Sequence, residues 1–335
     1  MTFSSFLTSA VTAGASDLHL VGDERPMARV QGVLLPLSED ALPLSDVSAM
    51  IESLLSPAQQ ATFAEQKDVD LGYEHEQMRV RINVHSQNGK PGISARLIPG
   101  VIPSMDELHL EPALRDTVNL ANGLVLVVGP TGHGKSTTIA SVVEEINKTR
   151  KAHIVTIEDP IEFVFEDKLS LVEQREIGED TPSFASALKH VLRQDPDVIV
   201  VGEMRDPETI ATVLTAAETG HVVFSTLHTS SAGEAIERIV DVFEGAKQKQ
   251  VLIQLSAVLR VIVAQELVAG QDGTRVAARE ILINTPAVAN LIRENNISQI
   301  PSVLQTNVKE GMVSMKRAKE TLAKDGRIST QDGVA

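Results

Sequence analysis

An α/β fold, in which a parallel sheet flanked by helices follows a smaller α+β segment, is predicted by three observations. Between Ala113 and Leu267, short apolar runs (Leu124–Val128, His153–Ile157, Val198–Val201, Val222–Ser225) alternate with stretches of helical spacing. That is the pattern of strands buried on both faces and joined by right-handed crossovers. The run Gly129-Pro-Thr-Gly-His-Gly-Lys135-Ser136-Thr137 comes directly after the first apolar run and opens a helical stretch, Ser136–Ile146. Before Pro99 the texture is different, with polar and apolar residues alternating over short runs, as in an antiparallel sheet with one solvated face.

Taken in order, Met1–Ala15 lacks a basic leader and a continuous apolar centre, so it reads as an amphipathic helix and not as a secretory signal. Asp17–Leu20, Met27–Val33 and Met78–Val84 alternate as strands, and Val47–Phe63 has helical spacing broken at Ser56-Pro57. Residues 1–98 are thus read as one domain. Pro99-Gly-Val-Ile-Pro103 marks the start of a linker, 99–112. Residues 113–335 form the second domain, with C-terminal helices from about residue 285. There Arg275–Leu282 reads as a short strand pair, Pro286–Asn295 and Met312–Lys324 as helices, and Ser329–Ala335 as a polar, frayed end. No fixed-period repeat is present.

Composition narrows the function. A chain of 335 residues can hold two cores of ordinary size. Cys 0 excludes a disulfide framework, a thiolate zinc site and a cysteine nucleophile, and it suits a reducing cytoplasm. No apolar run approaches a bilayer span, so a soluble cytoplasmic protein is expected. The formal net charge of -15 opposes general attraction to DNA or anionic lipid, and 3% aromatic residues leave few platforms for stacking bases. A nucleic-acid translocase is therefore disfavoured.

The Gly129–Thr137 run fits G-x-x-x-x-G-K-[ST]. In that pattern glycines let backbone N–H groups wrap phosphates, the lysine reaches the terminal phosphates and the hydroxyl ligates Mg²⁺. Gly129, Pro130, Thr131, Gly132, His133, Gly134, Lys135, Ser136 and Thr137 are the residues concerned, with ATP and Mg²⁺ as the expected ligands. Carboxylates stand at two further strand ends. Glu158 lies in Thr156-Ile-Glu-Asp-Pro-Ile-Glu162, where Asp159 before Pro160 is also an ordinary helix cap. Glu203 closes Asp195-Pro-Asp-Val-Ile-Val-Val-Gly-Glu203, a Walker B arrangement with Gly202 where many such proteins carry Asp. Glu158 is ranked as the activator of the attacking water, and Glu203 as a ligand or water positioner for Mg²⁺. His228 ends the strand that His221 begins, at the edge where a terminal phosphate is sensed. No second ligand stands at metal spacing from it, which argues against zinc.

These blocks, together with Ala15-Ser-Asp-Leu-His-Leu20, Arg79-Val-Arg81-Ile-Asn83, Val201–Asp206 and Thr219–Thr229, closely resemble the PilT-type pilus retraction ATPases of the secretion ATPase superfamily. The resemblance runs nearly end to end. It implies a PAS-like N-terminal domain, a RecA-like ATPase domain and a homohexamer with nucleotide at domain and subunit boundaries. Activity would be work at the inner face of the cytoplasmic membrane through an inner-membrane pilus platform protein and other pilus ATPases. It also makes Arg81 and Arg96 candidates to reach a phosphate from a neighbouring domain or subunit, although alternating arginines equally solvate a strand's outer face. Several positions depart from the pattern: His133 where Ser is usual, Gly89-Lys90 for Arg-Gly, Ala289 for Arg, Glu266 for a basic residue and Lys316 for Asp. An accessory retraction ATPase, a type II secretion-type motor and a nucleotide-dependent switch therefore stay open beside the retraction motor.

Overall fold

Three hydrophobic clusters on two sheets organise the chain in a computed structural model that describes residues 2–330 except 31, 76, 77, 99 and 272. Residues up to Val101 together with Pro160–Val164 form one compact unit. Ile102–Asp159 and the residues from Phe165 onward form the other. Pro99 at the head of the expected linker, Gln31 within the run Met27–Val33, and residues 331–335 of the expected frayed end lie outside the described residues.

In the first unit α1 (Phe3–Thr12) starts at Thr2, whose side chain accepts the Ser5 N–H in a capping box. β1 (Ala15–Val21), β2 (Met27–Val30) and β3 (Val33–Pro36) follow. The single strand expected over Met27–Val33 is thus a hairpin, turned at Gly32 with φ +85°. α2 (Leu44–Leu54) and α3 (Pro57–Gln66) are divided where the sequence breaks. Ser56 takes the extended conformation required before Pro57, and its side chain then caps α3. β4 (Asp68–His75), β5 (Met78–Gln87) and β6 (Lys90–Ile98) complete an antiparallel sheet of order β3-β2-β1-β6-β5-β4. Its inward residues, among them Leu18, Leu20, Val80, Ile82, Val84, Ile93 and Ala95, pack with Phe6 and Leu7 of α1 and Val47 and Ile51 of α2. The alternate positions carry Asp17, His19, Arg79, Arg81 and Arg96. This is the period-2 division of a sheet with one buried face.

The second unit begins with Met105 and Leu110 buried, followed by α4 (Pro112–Arg115). β7 (Gly123–Val128), α5 (Lys135–Thr149), β8 (His153–Glu158) and β9 (Leu171–Glu176) lead to α6 (Phe184–Val191) and β10 (Val198–Val201). α7 (Pro207–Glu218), β11 (Val222–Leu227), α8 (Ala232–Asp241) and α9 (Ala246–Val258) come next. β12 (Leu259–Ala269), β13 (Arg275–Ile283), α10 (Pro286–Arg293), α11 (Ile300–Thr306) and α12 (Met315–Lys324) close the chain. The sheet order is β13-β12-β7-β11-β10-β8-β9, parallel throughout except for the antiparallel β12–β13 pair.

Both faces of this sheet are covered. Val125 and Val127 of β7 pack with Ile139, Val142 and Ile146 of α5, while Leu124, Leu126 and Val128 pack with α7, α8 and α9 on the other side. Burial from both sides explains the unbroken apolar runs of the central strands. Two sequence expectations are corrected in this unit, and one strand had none. Arg275–Leu282 is one long strand, not a pair, and its partner is β12, an apolar strand that follows α9 without a break and so reads as the helix's continuation. β9 went unseen because it is a polar edge strand with no apolar run. α12 starts at Met315 and not at Met312, since Ser314 caps it by accepting the Arg317 N–H.

Candidate active site

β7, β8, β10 and β11 all point their carboxyl ends to one edge of the sheet, the edge where open parallel sheets bind ligands. The loop after β7 lies against β12 so closely that a Cβ at Gly129 would stand 2.3 Å from the Gln265 carbonyl oxygen, and Gly129 itself has φ +150°. Only glycine fits there. Gly134, with φ 77°, is the N-cap of α5 and offers no side chain to the helix's first N–H groups. A helix N-terminus that no side chain caps, with the positive end of the helix dipole, makes an anion site. Lys135, 8% exposed, points its Nζ back into the loop, donating to Gly129 O at 2.8 Å and Pro130 O at 3.1 Å.

His133 does not crowd the loop's mouth. Its Nδ1 accepts the Leu267 N–H at 3.1 Å and its carbonyl accepts Gln265 Nε2 at 2.7 Å, so the ring is held against β12. An accepting Nδ1 assigns the proton of the neutral ring to Nε2.

Glu203, just beyond β10, accepts Arg205 Nε at 2.7 Å on Oε1 and pairs with His228 Nε2 at 3.1 Å through Oε2. His228 Nδ1 in turn lies 3.4 Å from the hydroxyl of Thr131 in the phosphate loop. Three blocks separated in sequence thus meet in one chain of contacts, Thr131–His228–Glu203. Glu158, the last residue of β8, accepts Thr156 Oγ1 at 2.6 Å and Gln174 Nε2 at 3.2 Å on the same oxygen. Ser136 and Thr137 occupy the first turn of α5, half-buried.

Arg81 and Arg96 belong to the first unit, where they face each other as direct partners across β5 and β6. Both are exposed. Arg96 Nε donates to Asp17 Oδ1 at 2.9 Å. Burial pushes the Asp17 carboxyl up, but hydrogen bonds from Ser16 and Arg96 and the Arg96 charge together hold it below its ordinary value. The neighbouring His19 is pushed down by burial and by Arg29, His85 and Arg96, against the pull of Asp17. Residues to which no motif assigned a role are Gln265, Arg279 and Gln174, while Arg205 lies inside the Val201–Asp206 block but was given no role there. Gln265 reaches the loop across 132 positions of sequence.

A glycine-lined strand-loop-helix turn at the carboxyl edge of a parallel sheet, with a buried lysine inside it and paired carboxylate and histidine beside it, defines a P-loop ATPase. Comparison with known proteins narrows the class. The family described as "Type II/IV secretion system protein" matches residues 2–325. The type IV pilus retraction ATPase PilT of Pseudomonas aeruginosa is 43% identical over 99% of this chain and 97% of its own length. A twitching motility protein of Neisseria gonorrhoeae is 45% identical over 91% of this chain and 82% of its own. The crystal structure of the pilus retraction motor PilT with bound ADP superposes with a TM-score of 0.92 at 42% identity, covering 99% of this chain and 96% of that one. This chain belongs to the Type II/IV secretion system protein family, and it is an ATPase with the α/β fold of that family.

Proposed function

We propose that this protein is the ATP-hydrolysing, homohexameric motor that powers type IV pilus retraction. The observation that carries the proposal is the phosphate loop joined to Glu203 through Thr131 and His228, in a chain alignable end to end with a pilus retraction ATPase. In this reading residues 1–98 form a PAS-like domain, 99–112 a linker and 113–335 the RecA-like ATPase domain. The backbone of Gly129–Thr137 and Lys135 bind the phosphates. Mg²⁺ suits the donors present: it keeps several waters and takes few protein ligands beside phosphate oxygens, and the Ser136 hydroxyl and the Glu203 carboxylate are such a sparse set. Glu158 accepts the proton of the attacking water, His228 reports the terminal phosphate to Glu203, and Arg81 and Arg96 approach the phosphates from a neighbouring domain or subunit. Loss of the terminal phosphate removes the contacts that favour one domain orientation, which is the mechanical step.

Among the described residues no helix is long and apolar enough to cross a membrane. In this reading the motor works at the pilus base from the cytoplasm, attached peripherally through an inner-membrane platform partner. Deleting the gene and following fluorescently labelled pili tests the proposal. Pili that extend and accumulate without shortening support it, and unchanged retraction rejects it. An accessory role is favoured by one local feature: Glu266, where a basic residue is usual, is paired with Lys319 at 3.1 Å. Retraction that slows but persists in the deletion strain would assign that role.

A further inference from the structure

Behind the phosphate loop, Gln265 of β12 is 3% exposed and uses both ends of its amide. Its Oε1 accepts Thr138 Oγ1 and Arg279 Nε, both at 2.8 Å, and its Nε2 donates to the His133 carbonyl at 2.7 Å. One neutral side chain thus ties the phosphate loop, the helix that follows it and β13. Arg279, also 3% exposed, continues the chain in the opposite direction. Its Nη1 reaches Glu111 Oε2 at 3.3 Å and the His109 carbonyl at 3.4 Å, and its Nη2 reaches the Leu108 carbonyl at 3.2 Å. Leu108–Glu111 lies in the segment through which the chain enters the second unit after Val101. His109 sits there with φ 47°, an uncommon backbone state for a residue other than glycine.

A buried guanidinium is costly to desolvate, and an apolar side chain of similar volume would fill the same place at no such cost. Burial does lower the Arg279 pKa, against the opposing pull of Glu111. What the arginine adds is direction. Its fork fixes two backbone carbonyls and one carboxylate of the entry segment, while its Nε fixes the amide that holds the loop. The loop has further supports on the same side, from Leu267 N–H to His133 Nδ1 and from Arg275 Nη1 to the Gly132 carbonyl at 3.4 Å. Among the described residues, the Gln265–Arg279 route is the one that runs on to the entry segment.

We propose that Gln265 and Arg279 are positioning residues for the nucleotide, forming a buried relay through which displacement of the Leu108–Glu111 segment changes the shape of the phosphate loop and hence nucleotide affinity. Three variants of the full chain test this: Gln265→Glu, the double variant Gln265→Met/Arg279→Met, and Glu111→Ala. Gln265→Glu keeps an acceptor for Thr138 and Arg279 but sets an oxygen against the His133 carbonyl. The double variant removes both buried polar groups and refills their volume. Steady-state ATP hydrolysis, titration with a fluorescent ADP analogue and thermal melting are read for each. Gln265→Glu and the double variant are expected to raise the ATP KM and the ADP Kd by about tenfold, as small misplacements of a binding group do, with melting close to the parent. Glu111→Ala, at a side chain 29% exposed, is expected to move both constants the same way by about threefold, an effect on the order of 0.6 kcal/mol. A merely structural role would lower melting and leave the affinities alone. Folded variants with KM and Kd within about twofold of the parent overturn the proposal. If the double variant does not fold, unchanged affinity in Gln265→Glu and Glu111→Ala overturns it equally.

Discussion

The carboxyl edge of the parallel sheet and the polar face of the antiparallel sheet hold their charged groups in opposite ways. At the edge, Lys135, Glu203 and His228 are each fixed by named partners, and the loop between them is braced from β12. On the antiparallel face Arg81 stands directly opposite Arg96, two like charges that are both exposed, with Asp17 bonded to Arg96. Like charges in direct opposition weaken a sheet. The edge is thus built in advance for a phosphate, whereas the arginine face sets two exposed like charges side by side, with Arg96 held by Asp17. Under the proposed function, the first region binds nucleotide and the second completes hydrolysis.

The largest expected effect breaks this division most openly. Arg81→Ala and Arg96→Ala should lower kcat by roughly 10³-fold, the lower end for a phosphate-directed arginine, while ADP titration shows affinity within about threefold of the parent. A parallel loss of affinity would mean that the arginines help to bind and the two regions are not separate in role. Glu158→Gln comes next, with kcat reduced by about 10²-fold as for loss of a general base. Glu203→Gln, by contrast, should raise the Mg²⁺ concentration needed for half-maximal rate. If the two variants exchange phenotypes, the assignments of base and metal ligand exchange with them.

A smaller effect sharpens the electrostatic contrast. Burial raises the Glu280 pKa against hydrogen bonds from the Ala232 and Met315 N–H groups. A raised carboxyl contributes stability below its unfolded value, near 4.5, and loses it as pH rises through the folded value. Glu280→Gln should therefore match the parent in acid and be more stable at neutral pH by roughly 1 kcal/mol, measured by denaturant titration. Asp17, whose pKa is lowered, has the opposite sign: its contribution is present above 3.8 and fades as pH falls through the folded value. Asp17→Asn should lose stability at neutral pH by less than about 1 kcal/mol, because Arg96 is exposed to solvent.

What could be read from the sequence follows the same contrast. The phosphate loop was legible because its chemistry demands glycine, lysine and a hydroxyl at fixed offsets, and Gly129 shows why: nothing larger fits beneath the Gln265 carbonyl. Central strands such as Val198–Val201 were legible because burial on both faces leaves an unbroken apolar run. β12 and β9 were not, one because an apolar strand joined to a helix has no punctuation, the other because an edge strand needs little apolar character. Gln265 and Arg279 carry no motif at all. Their roles arise from contacts across 132 and 168 positions, which local spacing does not encode. His133 was legible as unusual, but its rotation onto the Leu267 N–H was not.

Phosphate release by the purified full chain and its Lys135→Ala variant, with Mg-ATP at saturating concentration, decides whether the phosphate loop hydrolyses nucleotide. Lys135 is the one lysine folded inside the loop, 2.8 Å from the Gly129 carbonyl, so the variant is expected to fall to the background rate while its melting stays near the parent. Turnover at the parent rate in a folded variant would contradict it.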